Sequence, residues 1–247
     1  MSLAAAQLAA NPTALWPLTE TSGTAAADAT GHGHTGAYQR SAMVGVFNWG
    51  SYAAPYFTGT TSDWISVPAS TALSSHAGSN GTWSMDCMVL DDGTFGFQNI
   101  LTVSDFPGGY ELSVRRDSTG LLFVEASQAV GSGFAPFVAQ IFGPVGAFSR
   151  WYHLGVTYDR AAQQMTLFVD GCPAGSVTSM SHTTSFTNKV WRIGGRGDTS
   201  GQRWNGSISH LAIYPTALSP GQIQAHAIAA GIRPPCLPGW SVGFLKF

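Results

Sequence analysis

The sequence predicts an all-β fold, a two-sheet antiparallel sandwich with a short helix near each end. Three observations carry this. Apolar and less apolar positions alternate along Trp151-Tyr152-His153-Leu154-Gly155-Val156-Thr157-Tyr158 and again along Met165-Thr166-Leu167-Phe168-Val169, the period-2 pattern of half-buried strands. A short polar connector around Asp159 to Gln163 joins the two runs, so they pair antiparallel. Asp170-Gly171 then suits a tight turn with positive φ, and Pro173 to Val177 returns as a third strand. Further short runs recur along the chain with turn residues about every 8–12 positions, which indicates a sandwich or barrel rather than alternating strands and helices.

Taken in order, Leu3 to Ala10 is alanine-rich and forms a short helix that stops before Pro12, because the residue preceding proline disfavours the α region. Ala14-Leu15-Trp16-Pro17-Leu18 reads as a first strand, and Pro17, lacking an N–H, places it at a sheet edge. Thr19 to Thr24 is a turn, and Asp28 to Gly36 a long glycine-punctuated loop. Strands follow over 55–58, 63–67, 82–90, 98–103, 110–114 and 121–125, broken by Gly59, Pro68, Asp91-Asp92-Gly93, Pro107-Gly108-Gly109 and Asp117-Ser118. Beyond the central meander come strands over 190–193 and 204–214. Ser219-Pro220 opens a second helix as N-cap and first helical residue, and Gly231 ends it before Pro234-Pro235.

Composition narrows the function classes. The 247 residues suit one large sandwich or two small domains, and 44% hydrophobic content supports a real core. Only 10% of residues are charged, against about 25% in a typical soluble domain, and 30 glycines suit many tight turns. The net charge is −2 and basic residues are scattered apart from Arg115-Arg116, which leaves no footprint for nucleic acid or an anionic membrane. The longest apolar region, 134–148, is broken by Pro136, Gly143, Pro144 and Gly146 and cannot span a bilayer. The amino terminus lacks a basic start and makes a poor secretory signal. Cys87, Cys172 and Cys236 allow one disulfide with a leftover thiol, or three free thiols.

Several spaced segments share the features of one family. The opening Trp16-Pro17-Leu18-Thr19-Glu20-Thr21-Ser22-Gly23-Thr24 and the loop Asp28-Ala29-Thr30-Gly31-His32-Gly33-His34-Thr35-Gly36 resemble the start of laminin-G-like domains, which belong to the concanavalin A-like jelly rolls. The central Trp151 to Asp159 with Phe168-Val169-Asp170-Gly171, and the closing Gly206 to Ser219, resemble later parts of the same family. Many bacterial and phage proteins with that opening place a short helix and an Asn-Pro before it, as Asn11-Pro12 does here. The resemblance implies a helical segment over 1–13, one jelly-roll domain over 14–231 and an apolar tail over 232–247.

Glycoside hydrolysis needs two carboxylates about 5–10 Å apart. The glutamates are Glu20, Glu111 and Glu125, none in the one-strand spacing of the family's glucanases, and no Gly-x-Ser-x-Gly elbow occurs. No catalytic residue is assigned. The resemblance makes Asp28 the candidate Ca²⁺ ligand, although His32 and His34 stand where the family offers asparagines, and Ser209-His210 replaces an acidic pair. A turn residue bonding its own backbone is the plainer reading of Asp28. His32-x-His34 lacks a third metal ligand, Arg196-Gly197-Asp198 is a chance tripeptide in a glycine-rich loop, and Asn80 and Asn205 read as Asn-Gly turns. Trp49, Tyr52, Tyr56 and Trp64 lie in or beside loops and are the candidate sugar platforms, whereas Trp16, Trp83 and Trp151 are core. The uncharged insertion around Phe134, Phe137 and Phe142 and the tail with Trp240, Phe244 and Phe247 are candidate subunit contacts, the tail having a closing strand along its own sandwich as its alternative.

The expected role is a non-enzymatic structural or adhesion component of a larger assembly, a tailed-phage virion protein in tail or capsid decoration, which binds glycans and other subunits, as a homo-oligomer or against virion neighbours. A secreted or surface carbohydrate-binding module is the alternative, at the cell surface or outside it, and a divergent glycoside hydrolase the third. No cofactor is required by this reading.

Overall fold

Two seven-stranded antiparallel sheets face each other, and two helices lie on the outside of one of them. The computed structural model describes residues 1–44, 47–49, 52–60, 62–75, 81–92, 98–104, 110–116, 122–126, 128–130, 133–135, 150–178, 189–196 and 202–237. In chain order the elements are α1 (Leu3–Ala9), β1 (Ala14–Trp16), β2 (Ala25–Ala26), β3 (Gly36–Tyr38), β4 (Phe47–Trp49), β5 (Tyr52–Ala54), β6 (Tyr56–Thr58), β7 (Ile65–Val67), α2 (Thr71–Ser75), β8 (Trp83–Asp91), β9 (Gln98–Ser104), β10 (Tyr110–Arg116), β11 (Leu122–Ala126), β12 (Gln128–Val130), β13 (Gly133–Ala135), β14 (Trp151–Asp159), β15 (Gln164–Val169), β16 (Cys172–Val177), β17 (Val190–Ile193), β18 (Asn205–Tyr214) and α3 (Pro220–Ala229). The first sheet runs β1-β18-β8-β14-β15-β16, with β6 also on β18, and the second runs β11-β10-β9-β17-β7-β3-β2. Residues 238–247, and with them Trp240, Phe244 and Phe247, lie outside the described residues, as do Phe137 and Phe142. Of Phe134 only the backbone is described, in β13.

The central meander forms as its sequence predicts. β14 pairs β15 from Leu154↔Val169 to Asp159↔Gln164, and β15 pairs β16. Asp170 (φ 53°) and Gly171 (φ 78°) take the left-handed conformations that a two-residue hairpin turn requires. β1 is an edge strand, as Pro17 indicates. Ser219 caps α3 with a reciprocal Gln222 bond, and Gly231 (φ 79°) closes it: Gly231 N–H donates to Ile228 O and Ile232 N–H to Ala227 O.

The two faces of the first sheet are both buried, against different partners. Met85, Cys87 and Val89 of β8, with Leu154, Val156 and Tyr158 of β14, face the second sheet in one large core. The opposite faces carry Met88, Phe168, Ala212 and Tyr214, and these are covered by Leu3 of α1, Ile223 of α3 and Ala230 behind it. Trp151 belongs to this outer layer and is only half-buried, a correction to its expected place in the main core. α3 seats where Gly155 leaves room: a methyl there would lie 3.1 Å from Ile223 Cδ1.

Cys172 and Cys236 form a disulfide, which settles the open cysteine pairing and leaves Cys87 as a buried free thiol. The tail therefore returns to the sandwich as far as Cys236, with Pro234 buried against Gly171.

Candidate functional site

Three clusters of polar side chains organise the described surface and its underside. The first surrounds Asp28. Its Oδ1 accepts from Leu15 N–H (3.2 Å), Thr30 N–H (3.0 Å) and Thr30 Oγ1 (2.7 Å), and its Oδ2 from His34 N–H (3.0 Å). Burial pushes the carboxyl up, but these donors from Thr30, His34 and Leu15 outweigh it and hold it below its ordinary range. The loop thereby covers the free edge of β1, with Ala29 N–H donating to Leu15 O. Among the described residues no group of three or more His, Cys, Asp or Glu side chains is arranged to hold a metal.

The second cluster lies beneath the helices. Asp86 of β8 is fully buried; its Oδ1 accepts from Gln7 Nε2 (3.0 Å) and Tyr214 Oη (2.9 Å), and its Oδ2 contacts His226 Nδ1 (2.6 Å) and His153 Nε2 (3.2 Å). Gln7 comes from α1, His226 from α3, His153 from β14 and Tyr214 from β18, so one carboxylate gathers five elements. Burial alone would raise the Asp86 pKa, yet the hydrogen bonds and charges of His153 and His226 hold it well below the carboxylate range. All five side chains are buried, so the cluster fastens the helices to the sheet. Sequence reasoning missed it: Asp86 lies within the strand predicted over 82–90, and nothing in that run singles it out.

The third cluster is exposed. β6 adds to the first sheet by pairing Thr58 with Asn205 and Tyr56 with Ser207. Tyr56, half-exposed, donates from Oη to Asp92 Oδ2 (2.6 Å), with Asn205 Oδ1 at 3.4 Å, and burial plus the Asp92 carboxylate push its phenol up to about 12. Thr58 N–H and Oγ1 both donate to the buried Asp63 Oδ2 (2.6 Å each), and the Arg40 guanidinium grips both oxygens of Asp63. Trp64 follows, half-buried, with the Arg203 guanidinium carbon 4.6 Å from its ring centroid. Trp49 and Tyr52 oppose each other in the β4–β5 hairpin, which runs directly into β6; their side chains lie outside the described residues. Tyr56 and Trp64 thus stand at either end of the segment 56–64, Tyr56 against Asp92 and Asn205 and Trp64 against Arg203, with Asp63, the partner of Arg40, next to Trp64 in the chain.

The carboxylates offer less. Glu20 Oε1 accepts from Ala27 N–H (2.7 Å) and Oε2 from Tyr38 Oη (2.8 Å), a turn-closing role. Ser113 stands opposite Glu125 in the β10–β11 register, which sets Glu111 and Glu125 at diagonal positions on adjacent strands.

A laminin G family model described as the concanavalin A-like lectin/glucanases superfamily matches residues 59–224, about two thirds of the chain. The chain belongs to that superfamily. Solved structures similar to it include domain 4 of AbnA, a GH43 extracellular arabinanase from Geobacillus stearothermophilus, solved in complex with arabinotriose (TM-score 0.62, 17% identity, 87% of this chain and 98% of that one). The binding domain of Paraclostridial Mosquitocidal Protein 1 is similar at a TM-score of 0.70 and 11% identity over 90% of this chain and 52% of that one. Trypanosoma rangeli sialidase in complex with sialic acid gives 0.63 and 14%, over 88% and 33%. The chain thus spans about half of the toxin binding domain and a third of the sialidase. At these identities the likeness is one of fold. No curated protein sequence matches. Among the described residues no helix of this superfamily member is long and apolar enough to cross a membrane.

Proposed function

We propose that this lectin/glucanase-superfamily domain is a non-enzymatic glycan-binding module whose ligand face is the edge carrying Tyr56 and Trp64. The observation that carries the reading is a short segment with a partly exposed aromatic at each end, Tyr56 and Trp64, each held beside fixed polar groups. A sugar ring presents an apolar face to an aromatic and hydroxyls to its surroundings, and Asp92, Asn205 and Arg40 supply acceptors and donors in positions held by their own hydrogen bonds. The arabinotriose complex of the AbnA domain supports a carbohydrate, because that domain is covered almost end to end by the same fold.

The finer reading is a structural or adhesion component of a larger assembly, a tailed-phage virion protein in tail or capsid decoration. The low charge of the chain supports a surface covered by neighbours, and the Cys172–Cys236 disulfide suits an oxidising environment outside a cell. An extracellular or cell-surface module is equally compatible with that disulfide.

Glycan-array screening followed by titration calorimetry tests the ligand face. Retention on at least one glycan is expected, with Tyr56→Ala and Trp64→Ala each weakening binding about tenfold, roughly 1.4 kcal/mol. Binding unchanged in both variants, or none at millimolar glycan, would overturn it. A polysaccharide panel tests the absence of catalysis: product release lost in Glu111→Gln or Glu125→Gln would make the domain a hydrolase.

A further inference from the structure

His226 closes the Asp86 cluster on one side and lines a groove on the other. It is 3% exposed, its Nδ1 lies 2.6 Å from Asp86 Oδ2, and its ring stacks on Tyr214 with centroids 6.0 Å apart. A carboxylate only accepts, so Nδ1 carries the proton, and in the neutral ring Nε2 presents a lone pair. Among the described residues Nε2 has no hydrogen-bond partner, and it is not enclosed as the partnerless His153 Nδ1 is. The groove runs between α1 and α3 and has a volume of about 250 Å³. Ala6, Ala9, Ala10 and Ala225 line it with methyl groups, together with the exposed Met1 and Gln222 and with His226. Gln222 Oε1 already accepts from Ser219 N–H (2.9 Å) and Oγ (3.0 Å), which leaves its NH₂ group. Neither helix carries a carboxylate, lysine or arginine.

We infer that this groove binds a small neutral compound with one apolar ring and one hydroxyl, a phenol, whose O–H donates to His226 Nε2. Size sets the first limit. An apolar cavity of about 150 Å³ holds a benzene ring, and drug-sized ligands fill roughly 300–1,000 Å³, so this groove suits a single ring with its substituent. Hydrogen bonding sets the second. An acceptor nitrogen at an apolar wall selects a ligand with one donor, because a hydroxyl leaving water needs a partner. A sugar ring is a poor occupant, since most of its hydroxyls would face alanine methyls. Charge sets the third: with no lysine or arginine on either helix, an anionic head would leave water without a counter-ion. The imidazole is held from behind by Asp86 and Tyr214, so binding orders no side chain at the atom that receives the proton donor. The groove is separate from the segment carrying Tyr56 and Trp64 and stands without the glycan reading.

Titration calorimetry of the full chain with phenol, benzene and benzoate, with the His226 ring nitrogens followed by NMR, tests the site. Phenol is expected to bind saturably, to shift the Nε2 resonance, and to bind at least about tenfold more tightly than benzene or benzoate. Ala225→Leu, and from the other helix Ala9→Leu, fill the groove from exposed positions. Each should weaken phenol at least about tenfold while the melting temperature is kept. No saturation at millimolar phenol would overturn the assignment. So would phenol binding that survives both leucine variants, benzene or benzoate binding as tightly as phenol, or phenol binding that leaves the Nε2 resonance unmoved.

Discussion

Asp86 is the residue on which the helical layer depends. A buried carboxylate with four partners is tolerable, but removing it takes the acceptor from Tyr214 and the partner from His153 and His226, and leaves Gln7 with the His210 carbonyl alone. Asp86→Ala should cost about 3–5 kcal/mol, measured by denaturant unfolding, as for other broken buried pairs. Because its folded pKa is depressed below the unfolded value near 3.9, its contribution is complete above about pH 5 and is lost as pH falls through the folded value. The melting temperature of Asp86→Asn should therefore fall less steeply between pH 5 and 3 than that of the parent; parallel curves would remove Asp86 from the acid response. Asp28 makes the contrasting case. With both oxygens already taking protein donors, its loss in Asp28→Ala should lower stability by about 1–2 kcal/mol, with melting curves that coincide with and without chelator. A chelator-dependent shift abolished by the same variant would make Asp28 a Ca²⁺ ligand. The resemblance pointed to Asp28, and nothing local pointed to Asp86, since alternation describes which face a residue occupies and not whether helices from distant segments cover that face.

Elements were legible in proportion to how much of their own information they carry. β14, β15, β17, β18 and α3 hold a complete pattern of alternation or capping, and they lie within a residue or two of their predicted bounds. β2, β3, β4 and β5 are two or three residues long, and their existence depends on partners supplied by the rest of the fold, as when Ala37 pairs with both Ala25 and Ser66. Tyr56 and Trp64 were visible as loop-side aromatics, but their polar neighbours Arg40, Asp92, Arg203 and Asn205 come from three separated segments. β18 shows what the pattern hides. It joins β8 through Gly206, at φ 134°, where an added methyl would sit 2.0 Å from Leu90 O. Gly206→Ala should destabilise by at least about 3 kcal/mol, read from the urea midpoint; an unchanged midpoint would mean that the two strands can separate there without loss.

At the scale of the whole molecule, the amino-terminal segment and residues 234–236 both lie against the sandwich. Leu3 and Gln7 are buried from one end and Pro234 from the other. The Cys172–Cys236 bond, separated by 64 residues, should contribute about 4 kcal/mol by restricting the unfolded chain, so a double serine variant should melt roughly 10 °C lower. The same bond also decides how the domain responds to being pulled. Tension applied beyond Cys236 bypasses β17, β18 and α3 and enters the sandwich at Cys172, the first residue of edge strand β16. A strand at an edge peels one hydrogen bond at a time, so the domain yields first there while the covalently closed ring behind it bears no load. In single-molecule stretching, reduction should lengthen the unfolded contour by about 230 Å, the reach of the 64 residues released.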